Sequence, residues 1–112
     1  MTMKKEYILC AANWYKELPL VDNNPDLLKT ARPSNCDSGI VFCGHRHHNC
    51  LHMMVAMTGK YQHQAGEEVQ GFLTNKNRFV DRKEAFQIAL AVNQIMDLND
   101  TRGTNLYSED LY

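Results

Sequence analysis

The chain carries no surplus of charge of either sign: its 12 Lys and Arg stand against 13 Asp and Glu, a formal net charge of −1. Proteins that follow a nucleic-acid polymer through many phosphate contacts are ordinarily clearly basic. A polymer ligand is therefore set aside, while a small anion, which needs only a few focused donors, stays open. Long apolar runs are also missing. The early stretch Tyr7–Ala12 is too short for a membrane span or for the core of a signal peptide, so no membrane association is expected. None of the four cysteines, Cys10, Cys36, Cys43 and Cys50, forms a Cys-x-x-Cys pair, which excludes a zinc site built from two such knuckles. Free thiols in a reducing, cytoplasmic compartment are the expectation. Proline is scarce, and Pro19, Pro25 and Pro33 all fall within one segment. There is no internal repeat and no low-complexity tract.

What is present fits one small domain over 1–112, of α/β or α+β class, with about three short strands and two main helices. Tyr7–Trp14 reads as a buried first strand. Residues 15–38 read as a long irregular loop with one helical turn at Pro25–Thr30, where proline suits a first helical position. Ser38-Gly39 marks a turn, and Ile40–Cys43 reads as a second strand ended by Gly44. Cys50–Met57 reads as a helix with Asn49 as its N-cap, or with a start two or three residues earlier, and with Gly59 as its stop. Val69–Thr74 is the third strand, followed by an Asn75-Lys76-Asn77 turn. Asp81–Glu84 has the form of a capping box. Ala85, Ile88, Ala89, Val92, Ile95 and Met96 then define one apolar face of a helix about four turns long. A polar link, Asn99–Asn105, leads to the acidic-aromatic tail Leu106–Tyr112, expected to dock on its own domain or on a partner.

Two constellations carry candidate chemistry. In the first, a strand runs through Gly44 into His45-Arg46-His47-His48 and a helix start. Helix N-termini favour anions, Gly44 permits close backbone approach, and Arg46 offers a planar fork for phosphate or carboxylate. His47 and His48 can donate hydrogen bonds, or one of them can act as a general acid or base. The second is Lys76, Asn77 and Arg78, followed by Arg82 at another capped helix start. If Arg78 and Arg46 converge they form a two-pronged anion clamp. Trp14 is a candidate for stacking on a base. A metal reading competes, because His48 and His52 are four apart and Cys43, Cys50, His45 and His63 are further possible ligands. No glutamate separates the histidines as in a metalloprotease helix, and core packing explains the cysteines more simply. No metal and no cofactor are therefore expected.

The early ILCAA strand, the Gly44-x-Arg46-His47-His48-x-Cys50 motif, Gln70–Thr74 (QGFLT), Asn77–Ala85 (NRFVDRKEA) and the closing LYSEDLY together resemble a family of small proteins of tailed phages and prophages. The resemblance covers most of the chain except the proline-containing loop and Gly59–Glu68. It implies a phage setting in the cytoplasm of a bacterial host, but no settled activity. Small accessory phage proteins often inactivate host defences, some by sequestering nucleotide immune signals and others by degrading them. The expected function is accordingly a homo-oligomeric binding protein for a small phosphorylated nucleotide, of cyclic nucleotide or cyclic ADP-ribose type. Gly44, Arg46, His47, His48, Lys76, Asn77, Arg78, Arg82 and Trp14 form its candidate site. The alternatives are an enzyme degrading such a nucleotide with a histidine general acid/base, and a protein inhibitor of a host defence enzyme acting through the tail.

Overall fold

The first strand forms where alternating side chains meet two different environments. In the computed structural model, which describes residues 5–22, 24–100 and 103–112, β1 spans Ile8–Tyr15 and is central to the sheet. Three further strands complete it: β2 (Ile40–Gly44), β3 (Glu68–Thr74) and β4 (Phe79–Asp81). The order is β2-β1-β3-β4 and every pairing is antiparallel. Ala11, Asn13 and Tyr15 stand opposite Phe72, Gln70 and Glu68 on one side and Gly44, Phe42 and Ile40 on the other. By the period of two, these residues share one face of the sheet.

Two helices cover that face. α2 (His47–Thr58) lies over β1 and β2, and α3 (Arg82–Ala91) lies mainly over β3 and β4. The main core sits between the layers and includes Tyr15, Phe42, Met54, Phe72, Val80 and Leu106. Complete burial of such side chains stabilises the fold by roughly 1.5–3 kcal/mol each. A smaller cluster, Ala12, Cys36 and Phe79, occupies the other face, with Trp14, Val41, Cys43, Val69 and Leu73 half-buried around it. The chain is a small single α+β domain.

Several elements differ from the expectation. The sheet has four strands. β4 is only three residues long, too short for an alternating pattern to announce it, and it exists because the turn after β3 folds it back into register with Gly71–Leu73. The long loop contains a full helix, α1 (Pro25–Ala31), with Asn24 accepting from the Asp26 amide. α2 begins at His47, the earlier of the expected starts, with Arg46 in place of Asn49 as N-cap; Asn49 lies at the third helical position and its side chain accepts from the Arg46 amide. The helix ends as expected at Gly59, in the left-handed region at φ 73°. α3 stops at Ala91, well short of Met96. Asn93 takes a left-handed φ of 59°, and Ile95 packs on the core only after the chain has turned. In the capping box Asp81 accepts from the Glu84 amide, while the Glu84 carboxylate turns to Arg78.

Among the described residues no helix is long and apolar enough to cross a membrane. The first four residues and the 101–102 part of the polar link lie outside the described residues.

Candidate functional site

The two helix starts meet. α2 opens above the β1–β3 pair, and α3 opens directly from β4, so His47 and Arg82, each the first residue of its helix, lie side by side. His47 Nε2 is 2.8 Å from the Gly71 carbonyl. A carbonyl only accepts, so Nε2 carries the proton and Nδ1 presents its lone pair to Arg82 Nη2, at 3.4 Å. The ring packs edge-on against Phe72 at 5.1 Å. Burial holds the imidazole below its ordinary pKa; the Gly71 contact opposes that shift and the neighbouring Arg82 adds to it. His47 is thus a neutral, doubly engaged side chain.

A polar network extends from this pair across the helix-covered face. Arg82 Nη2 donates to Gln70 Oε1 at 2.7 Å and Nη1 to the Leu106 carbonyl at 2.9 Å, while the guanidinium lies 4.5 Å from the centre of the Tyr107 ring. The Leu106 amide donates in return to the Arg82 carbonyl. Gln70 donates to Glu68 at 2.9 Å, and Gln62 donates to the same carboxylate. On β1, fully buried Asn13 donates to the Tyr15 hydroxyl and to the His47 carbonyl. Burial, chiefly, pushes the Tyr15 phenol up.

Arg46 belongs to a second, more open arrangement. Its Nη2 donates to the backbone oxygen of Tyr112 at 2.6 Å, and its guanidinium lies 5.0 Å from the centre of the Tyr112 ring. That ring also stacks on His45, with centroids 4.8 Å apart and planes 20° from parallel. The Tyr112 hydroxyl donates to the His45 carbonyl at 2.7 Å. Arg46 Nη1 is buried with no hydrogen-bond partner among the described residues.

The remaining candidates are placed elsewhere. Arg78 forms a fork on Glu6, at 2.8 Å to each oxygen, and donates to Glu84 as well. Arg78 in turn holds the Glu6 carboxyl below its ordinary range, against the opposing effect of burial. Asn77, at φ 55°, supplies its carbonyl to Ser34, and Lys76 is exposed beside it. Trp14 lies on the opposite face of the sheet, edge-on to Phe79 and donating to the Ser38 carbonyl, with Lys16 over its ring. Of the second cationic constellation, Arg82 reaches the first; Arg78 is engaged by two carboxylates. His48 and His52 do share one helix face, with ring centres 5.9 Å apart. Among the described residues no group of three or more His, Cys, Asp or Glu is placed to hold a metal ion. A groove of about 540 Å³ lies along the other flank of α2, walled by His52, Tyr61 and His63 over Leu51 and Val55.

Residues 7–112 match the family model described as Phage T4 y16D protein. The chain belongs to that family. No curated protein and no solved structure gives a match. Membership of the phage T4 y16D family agrees with the phage setting that the sequence motifs suggested, and the matched span includes every candidate residue named above. Sequence reasoning overlooked the network residues Asn13, Glu68 and Gln70 and the ring of Tyr112. For Asn13 the signal was its inward parity between Ala11 and Tyr15, whereas Glu68 and Gln70 share the inward row of β3 with only one apolar side chain, Phe72. Nothing local announces that Tyr112 returns to His45 and Arg46.

Proposed function

We propose that this y16D-family protein is a phage accessory protein that binds and sequesters a small phosphorylated nucleotide, with His45 and Arg46 as the recognition pair. The observation that carries this reading is the way the chain's own tail rests there. An aromatic ring lies against an imidazole and a guanidinium, a backbone oxygen takes one guanidinium nitrogen, and Nη1 has no hydrogen-bond partner among the described residues. A nucleotide has the same two elements, a flat ring and anionic oxygens, and a phosphate can take both guanidinium nitrogens where the tail takes one. The ligand would displace Tyr112 and use His48 at the rim. Arg78, already paired with two carboxylates, and Trp14, on the opposite face of the sheet, are left out of the proposed binding set.

Binding is favoured over turnover. A general base needs a free lone pair at the reacting atom, and both nitrogens of His47 are engaged within the fold, which leaves His48 as the base of the enzyme alternative. The ligand class argued here is a cyclic nucleotide or cyclic ADP-ribose type signal, bound by a non-basic protein at a focused site. Homo-oligomerisation belongs to the same proposal.

The test is a thermal-shift panel of cyclic nucleotides, ADP-ribose derivatives and inorganic phosphate on wild type, Arg46→Ala and Tyr112→Ala. A ligand specific for the native state stabilises it by about 2.7 kcal/mol at a hundredfold excess over Kd. The expected result is a shift with one nucleotide that is lost in Arg46→Ala and enlarged in Tyr112→Ala, where no tail competes. Recovery of intact nucleotide after denaturation supports sequestration, and recovery of products supports the enzyme alternative. No shift with any compound overturns the reading and leaves the tail-mediated protein inhibitor.

A further inference from the structure

Cys10 and Cys43 lie outside the polar network and outside the Arg46 site. The β1–β2 register sets Ala12 opposite Cys43, so Cys10, two residues earlier on the same face, is the diagonal neighbour of Cys43. Both therefore lie on the sheet face turned away from α2 and α3. Both cysteines are free and half-buried, whereas Cys36 and Cys50 are buried. We propose that Cys10 and Cys43 form an oxidant-sensitive dithiol, in which Cys10 is the attacking sulfur and Cys43 the resolving one.

The electrostatics support that division of roles. The neighbouring Cys43 thiol brings Cys10 down to about 7, while the same neighbour, together with burial, pushes Cys43 far up. Burial pushes Cys36 and Cys50 up to about 11. The thiolate is the reactive form, and the directions of these shifts favour Cys10 as its source.

With a peroxide as oxidant, the Cys10 thiolate attacks one peroxide oxygen. An S–O bond forms, the O–O bond breaks, and the departing oxygen leaves as hydroxide, which a proton converts to water. The peroxide is reduced by two electrons and the sulfur becomes a sulfenic acid. The Cys43 sulfur then attacks that sulfur, the S–O bond breaks, and the hydroxyl leaves with the Cys43 proton as a second water. Diagonal partners on adjacent strands have Cα atoms about 7–8 Å apart, at or beyond the upper end of unstrained disulfide geometry, about 6.8 Å. A bond between these two is accordingly strained, and strained disulfides are the readily reduced ones. The strand that must shift to close it is β2, at the edge of the sheet.

The experiment uses the full chain, first reduced and then freed of reductant. Limited iodoacetamide at pH 7.5 is followed by peptide mapping. The expected outcome is alkylation of Cys10 about tenfold faster or more than of Cys36 and Cys50 in the folded protein, with the preference lost in urea. Hydrogen peroxide should then yield a Cys10–Cys43 linked peptide that dithiothreitol reverses. In Cys43→Ser the peroxide product should instead be a Cys10 sulfenic acid trapped by dimedone. Equal alkylation of the thiols in the folded chain, or a cross-link that joins Cys36 or Cys50, overturns the proposal. The wild-type mapping stands independently of whether the variant folds.

Discussion

Nη2 of Arg82 lies 3.4 Å from Nδ1 of His47 and 2.7 Å from Oε1 of Gln70. This one guanidinium therefore ties the first turn of α3 to the first turn of α2 and to the centre of the sheet. Through Leu106 it also holds the closing segment. The Arg46-His47-His48 and Asp81-Arg82-Lys83-Glu84 stretches meet at this point.

Replacing Arg82 by Lys keeps the charge but loses the planar fork that spans Gln70 and the Leu106 carbonyl. The variant is expected to lose about 2 kcal/mol in a urea titration. The near-ultraviolet circular dichroism of the Tyr107 region should weaken with it. Unchanged stability would mean that the tail is held by its apolar contacts alone.

His47 makes the fold sensitive to acid. Its folded pKa is lowered, mainly by burial, so below the unfolded histidine value of about 6.5 the unfolded chain binds the extra proton first. The contribution is complete above that value. It diminishes as pH falls from there toward the depressed folded pKa. The melting temperature of the wild type should therefore drop more between pH 7.5 and 5.5 than that of His47→Gln; parallel curves would refute the assignment.

Gly71 is the acceptor for His47 and also leaves no room for a side chain beside β4. A Cβ there would collide with the Val80 carbonyl and press on the Phe79 ring. Gly71→Ala is expected to destabilise by about 2–3 kcal/mol, as overpacking does. Chemical denaturation measures the loss, and a cost below that of an ordinary surface substitution would contradict the close approach.

Arg78 joins Glu6 and Glu84, and so connects the start of β1 to the first turn of α3. Its role here is structural. Arg78→Ala should lower stability by about 1 kcal/mol, less at high salt, and should leave nucleotide-induced thermal shifts unchanged. Loss of those shifts would return Arg78 to the binding set.

The sequence alone determined the elements that local chemistry specifies. The Asp81 cap, the left-handed stop at Gly59, the proline-led start of α1 and most of three strands follow from backbone sterics and short-range periodicity. Their causes lie within a few residues of their effects. Tertiary structure alone decided which polar groups became partners. Arg46 meets Tyr112 across 66 positions and Arg78 meets Glu6 across 72, whereas Arg46 and Arg78, alike in sequence as anion donors, are committed to different neighbours. The brief strand β4 likewise exists only through its pairing with β3. A side chain's residue type states what it can bond. Which bond it makes depends on the competition among all groups that folding brings within about 3 Å of it.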